Sequence, residues 1–220
     1  HTYTPSMKGT SLSHLARTYS ILASSVPRLL TEGTVYQRYQ SMYVREFEFA
    51  NGRRVSYDIT GTPPYLVALV VPFDTRTRTF TLINEFCPSS SSLQLAVPAG
   101  MVEAKHTSVE DGARKELNEE ARIEADALLP LVLDKEGKPG YLYQDKYSKN
   151  KFFPFLALDC RPVPVQRQRQ QDDDELIEVV QSVTPAQLRQ WVREEGSIPL
   201  PAAWSCLLAL DELRQRGYDV

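Results

Sequence analysis

"YLVALVVPF", residues 65 to 73, is the most restrictive stretch of this 220-residue chain: nine residues without a charge or a side-chain amide. A strand alternates its side chains between two faces, so a segment apolar at every position needs cover on both. It is therefore expected at the centre of a sheet with packed layers above and below. With 42% hydrophobic and 24% charged residues, the chain has the material for one such core, and a single α/β domain with small appendages is the expected architecture.

"TFTLINEF" supplies a partner strand, and further strands are expected at "LLPLVLD", "FFPFLALDC" and "ELIEVVQSV". Helices are expected at "TPAQLRQWVREEG" and "PAAWSCLLALDELRQRG", and "PVPVQRQRQQDDD" reads as a long surface loop between two strands. From Tyr36 to Ile59 the apolar and aromatic residues alternate, and the Asn-Gly pair of "ANGR" between "YVREFEF" and "RRVSYDI" favours a tight antiparallel hairpin. The division along the chain is thus an N-terminal arm (1–33) with one helical candidate, "LSHLARTYSILASS", a β-hairpin (34–60) and a main domain (61–220).

A net charge of −3 argues against a broadly basic nucleic-acid coat, so any nucleic-acid contact has to be focal. Cys87, Cys160 and Cys206 are far apart and lack metal-ligand spacing, which suggests a reducing compartment and buried thiols. No apolar run approaches the roughly 18 to 20 residues that cross a bilayer, and a soluble protein without membrane partners is expected.

"RKELNEEARI", residues 114 to 123, places three glutamates on one expected helix, which starts near Thr107 or Ser108 as N-cap and ends at Arg122. At 3.6 residues per turn Glu116 and Glu120 lie one turn apart on one face, with Glu119 beside them. Such carboxylates repel each other unless a cation sits between them. Mg²⁺ or Mn²⁺ prefers oxygen ligands and serves phosphate chemistry. Charges at this spacing also form solvated helix faces with weak ion pairs, so the spacing alone leaves both roles open.

The whole stretch "VPAGMVEAKHTSVEDGARKELNEEARI" resembles the Nudix box of the Nudix hydrolase superfamily. Gly100 matches the leading Gly, Glu116 the first core Glu, Leu117 the apolar position, Glu119 and Glu120 the Glu pair, and Ile123 the final apolar residue. The resemblance implies a Nudix fold, an α/β (α+β) architecture with a mixed β-sheet sandwiched between helices. It also implies a pyrophosphohydrolase in which Glu116, Glu120 and the Ala99 carbonyl bind Mg²⁺ or Mn²⁺, with Glu119 assisting. Lys115 replaces the usual Arg, Arg122 replaces the late Gly, the spacing from Gly100 to the core is one residue longer, and His106 stands where an early Glu falls. Glu103 and Glu110 are the nearby alternatives for that carboxylate.

Beyond the box the chain is most similar to the branch that includes ADP-ribose and nucleotide-sugar pyrophosphatases. By that resemblance Pro139 in "GKPG" lies near the substrate, Glu175 in "DELIEV" serves as a catalytic base or metal-shell group, and Cys87 in "EFCP" stands where an arginine usually holds the substrate. Tyr36 and Tyr57 would sandwich a base, across a homodimer with exchanged strands. Their other role is packing a sheet face. Lys146, Lys149 and Lys151 of "QDKYSKNK" are candidates for phosphate contacts or for ordinary solvated lysines.

The divergent box also resembles the Nudix subunit of the kinetoplastid mitochondrial mRNA 5′-processing complex. That likeness implies removal of pyrophosphate from 5′-triphosphorylated RNA, an RNA-binding helical-repeat protein as partner in a hetero-complex, and a mitochondrial matrix setting. Three functions are therefore carried forward: RNA 5′-end pyrophosphohydrolase, ADP-ribose or nucleotide-sugar pyrophosphatase, and a subunit that binds a nucleotide or RNA end without turnover.

Overall fold

The computed structural model describes residues 26–168 and 176–220, so the helical candidate at 12–25 and Glu175 lie outside the described residues. The chain forms two units, residues 1–60 and 61–220. In the first, β1 (Arg28–Gln37), β2 (Ser41–Glu48) and β3 (Arg54–Gly61) make a three-stranded sheet in the order β1-β2-β3. The Asn-Gly pair makes the expected turn between β2 and β3. Gly52 adopts φ +77°, which a side chain resists, and its N–H donates to Phe49 O at 2.9 Å. β1 begins inside the segment read as an arm. It is exposed along nearly its whole length, so it has no half-buried alternation by which a sequence reveals a strand.

The second unit is built on β4 (Leu66–Asp74), whose six central residues are all buried. The mixed sheet runs β11-β5-β4-β10-β8, with β5 (Thr79–Cys87), β8 (Ile123–Pro130), β10 (Lys151–Pro162) and β11 (Ile177–Val183). β4 and β10 are parallel, and the other pairings are antiparallel. β4 and β5 pair only at their turn, through Phe73–Phe80 and Asp74–Thr79. Farther along, β6 (Ser92–Ala96) pairs with β5 and β7 (Ala99–Met101) with β4. Ala99–Met101 is thus a short strand, locked in register with Leu69, Ala68 and Val67.

Alternation along β4 divides the core. Leu69, Val71 and Phe73 pack with Leu188, Cys206, Leu210 and Leu213 of helices α2 (Pro185–Trp191) and α3 (Leu200–Gln215). Ala68 and Val70 face the other way, toward Ala113, Leu117 and Ala121 of helix α1 (Val109–Ala121). These three helix residues recur every four positions and form the apolar stripe of α1. Burying Leu117 fully stabilises by roughly 1.5–3 kcal/mol.

Two boundaries differ from the sequence expectation. The strand placed at "LLPLVLD" begins earlier, at Ile123, because Arg122 caps α1 in the left-handed conformation (φ 58°) and turns the chain directly into β8. The alanines of "IEADA" gave too weak a hydrophobic signal to show it. Residues 131–140 instead form a turn organised by Asp134, whose Oδ1 accepts from the N–H groups of Glu136 and Lys138. Helix α2 stops at Trp191 rather than near Gly196. Glu194 and Glu195 are unfavourable beside a helix C-terminus, and the chain turns there through Gly196 (φ +70°) so that Ser197 O can accept from Leu95 N–H.

Glycine is the usual residue at a position like that of Arg122, because a Cβ in the left-handed region costs about 1–2 kcal/mol. Arg122→Gly is accordingly expected to raise the unfolding free energy by about 1 kcal/mol, measured by urea denaturation. An unchanged or lowered midpoint would show that the arginine side chain holds α1 in place.

Candidate functional site

Helix α1 positions the glutamates. Ser108 is its N-cap, with Oγ accepting from Asp111 N–H at 3.0 Å, and Glu110 and Asp111 in the first turn suit the positive end of the helix dipole. Asp111 also accepts from Thr107 N–H at 3.0 Å and from Lys115 Nζ at 2.9 Å. The lysine first, then the amide, hold its carboxyl below the usual range. Lys115, in the arginine position of the box, thus spends its charge one turn back toward the helix start. The neighbouring Arg114 donates to Ala125 O at 3.0 Å and ties α1 to β8.

Glu120 and Glu116 converge on β7. Glu120 is 4% exposed, and its Oε2 accepts from Ala99 N–H at 2.9 Å. The Glu116 carboxylate lies against Gly100: a Cβ built there would sit 2.4 Å from Cδ and 2.5 Å from each carboxylate oxygen. Only glycine lets the strand pass this close. The contact made by Ala99 is through its N–H. Glu119, the third glutamate of the box, is half-buried on the same helix.

The two carboxylates brought together at β7 are oxygen donors of the kind that suits a hard divalent cation. No group of three or more His, Cys, Asp or Glu side chains forms a ligand cluster among the described residues. The fit therefore rests on the carboxylates of Glu116 and Glu120. The burial of the Glu120 carboxylate at 4% exposure beside that of Glu116 supports it, since a buried carboxylate is costly without hydrogen bonds and compensating positive charge.

The other sequence candidates lie elsewhere on the elements. Pro139 is half-buried and bridges Leu133 in the 131–140 turn. His106 Nδ1 accepts from Glu103 N–H at 3.2 Å, so the residue at the early-Glu position braces the loop before α1, and Glu103 pairs with Lys105. Cys87 ends β5, its Sγ 3.1 Å from Ser89 Oγ. Lys149 Nζ sits over the Tyr65 ring at 5.2 Å. In the first unit Tyr36 is 49% exposed on β1, while Tyr57 packs edge-on against Phe47 at 5.9 Å.

Glu85 escaped the sequence reading. It follows Ile83 by two positions on β5, which places it on the sheet face that α1 covers, and burial raises its carboxyl above the ordinary value. A charged residue at an inward position of a strand was the available signal. Because the folded pKa is raised, the stability contributed by Glu85 is fully present below the unfolded glutamate value near 4.3 and is lost as pH rises through the folded value. Glu85→Gln is expected to be more stable than wild type at pH 7 and equal to it below about pH 4, by thermal melts across that range. A loss of stability at pH 7 would show that the charge is compensated.

A NUDIX domain model matches residues 63–201, more than half of the chain. A crystal structure of an ADP compounds hydrolase shares the fold with a TM-score of 0.70 at 22% identity, over 87% of this chain and 96% of that one. No curated protein matches the sequence.

Proposed function

The chain belongs to the Nudix family of hydrolases, and from that premise we propose that it is a divalent-metal pyrophosphohydrolase that splits the α–β phosphoanhydride of a 5′-triphosphorylated RNA end. The observation that carries the chemistry is the convergence of Glu116 and Glu120 on Ala99 and Gly100. Nudix hydrolases generally use divalent metals such as Mg²⁺. A bound Mg²⁺ or Mn²⁺ would supply neutralisation of the phosphate oxygens as the anhydride breaks.

The residues of the chain do the rest. The N–H of Ala99 fixes the Glu120 carboxylate in its buried position, and the close approach at Gly100 fixes that of Glu116, so both are oriented before substrate arrives. Glu119 on the same helix takes the proton of the attacking water. Glu175, outside the described residues, is the alternative base. Hydrolysis leaves a 5′-monophosphate on the RNA and releases pyrophosphate.

RNA is preferred over a small nucleotide because Cys87 carries no fixed positive charge at the position where the resemblance places an arginine for ADP-ribose. The reading as an ADP-ribose or nucleotide-sugar pyrophosphatase is supported by the ADP compounds hydrolase that shares the fold. Incubation with Mg²⁺ or Mn²⁺ and, in parallel, triphosphorylated RNA, ADP-ribose, nucleotide sugars and GTP separates them by mass spectrometry. Pyrophosphate with monophosphorylated RNA supports the proposal. Cleavage confined to ADP-ribose or a sugar nucleotide replaces it, and tight binding without turnover assigns the chain to recognition.

A further inference from the structure

We propose that the groove between α2 and α3 is a binding site for a small polyvalent phosphate anion, with inorganic pyrophosphate as its type ligand. The groove holds a cavity of about 260 Å³ lined by Arg189 in the last turn of α2, Arg193 just beyond that helix and Arg214 in the last turn of α3, with Val192 and Leu210 as apolar walls. Helical spacing builds it. Positions 189, 192 and 193 share one face of the α2 segment, and 207, 210, 211 and 214 recur at i, i+3, i+4 and i+7 along α3. Both helices cover the sheet face opposite α1, since Leu188, Leu210 and Leu213 pack with Leu69, Val71 and Phe73 while Ala68 and Val70 face α1. The cavity is therefore separate from Glu116 and Glu120, and the proposal is independent of the hydrolase reading.

Three guanidinium groups around one small space repel each other. Those of Arg189 and Arg193 make no hydrogen bond or ion pair among the described residues. Arg214 donates through Nε to Val220 O at 3.1 Å, which leaves its two terminal nitrogens for a ligand. Neighbouring acids are engaged elsewhere: Asp211, at the rim of the cavity, accepts from Gln215 Nε2 at 2.8 Å, Glu194 accepts from Gln190 Nε2 at 2.6 Å, and Glu212 pairs with Arg216. Burial first, then Arg214 and Arg193, hold the Arg189 guanidinium below its ordinary value, against the opposing charge of Asp219. Three arginines against Asp211 and Asp219 leave a positive surplus. The partial negative charge at the C-terminal ends of α2 and α3 helps the cluster stand without a ligand, and an incoming anion relieves the repulsion that remains. Guanidinium forks match phosphate oxygens two at a time. A carboxylate has two oxygens and satisfies one fork, whereas a phosphate or diphosphate ion presents enough to meet three. The cavity is smaller than the roughly 300–1,000 Å³ of pockets for whole organic ligands, which favours the small ion over a nucleotide.

Isothermal titration calorimetry of the full chain in EDTA measures pyrophosphate binding without metal, a condition in which Glu116 and Glu120 repel the anion. One site per chain is expected. Arg189→Gln and Arg193→Gln are each expected to weaken binding about 10- to 100-fold, the range for a lost charge-assisted hydrogen bond. Arg189→Lys keeps the charge without the fork and is expected to weaken it less than Arg189→Gln. Thermal melts separate a ligand site from a structural role. Without ligand, Arg189→Gln is expected to melt at or above the wild-type temperature, because repulsion is relieved, and pyrophosphate at the same concentration is expected to raise the melting temperature of wild type well above its effect on the variant.

Failure of both pyrophosphate and phosphate to bind in EDTA would overturn the proposal, with the hydrolase reading left standing on its own turnover assay. So would equal affinity in the arginine variants, or binding that requires Mg²⁺ and so belongs to the glutamates. A ligand-free melt of Arg189→Gln well below that of wild type would overturn it too, by making the arginine a structural residue. Equal competition by an acidic peptide would replace the phosphate ion with a protein partner, and preferential binding of a 5′-hydroxyl RNA oligomer through the same arginines would replace it with a nucleic-acid backbone.

Discussion

Glu120→Gln is expected to remove metal-dependent turnover and leave the fold in place. The amide oxygen of glutamine can still accept from Ala99 N–H, now made by Oε2 of Glu120 at 2.9 Å, and the side chain keeps its volume at a site 4% exposed. The melting curve should therefore move by no more than the equivalent of about 1 kcal/mol. The full negative charge is lost, and with it a carboxylate that a hard cation prefers. Metal assistance is worth several kcal/mol of transition-state stabilisation, so the rate should fall on the order of 10²- to 10⁴-fold. Product release by wild type and variant, with a thermal melt of each, measures both terms. Equal turnover would end the catalytic reading, and collapse of the melt would make Glu120 a structural residue.

Gly100→Ala should separate activity from stability in the same way by a steric route. Its Cβ would lie 2.4–2.5 Å from the carboxylate of Glu116, closer than real contacts allow. The obstructing atoms are the far end of a flexible side chain, so the protein yields by swinging Glu116 away, at a modest cost to folding. A displacement of about 1 Å at a reacting centre costs on the order of 10²-fold in rate. The expected outcome is near-native melting with turnover reduced by about that factor. Gly33→Ala is the control, because nothing lies within 4 Å of its added methyl group. Native turnover in Gly100→Ala would show that the position of Glu116 is immaterial, and an unfolded variant would show that β7 cannot yield.

Much of this was legible in the chain. The unbroken apolar run of β4 pointed to a strand covered on both faces, the Asn-Gly pair favoured a tight turn, and Thr107 or Ser108 with the spacing of the glutamates marked the start and one face of α1. The signals that failed were those in which local composition is neutral. β1 is exposed, β8 opens on alanines, and β9 (Leu142–Tyr143) is two residues long. Their pairing is decided by the strand beside them, which a sequence window does not contain.

The same division holds at the site. By itself the sequence determined that Glu116, Glu119 and Glu120 share a helix and that a glycine precedes them, because helical periodicity is local. Only the tertiary structure decided that β7, paired with β4, passes close enough to Glu116 to require Gly100, that Ala99 N–H donates to Glu120, and that Lys115 turns back to Asp111. Contacts of that kind depend on which strands and helices pack together, and packing is a property of the whole chain.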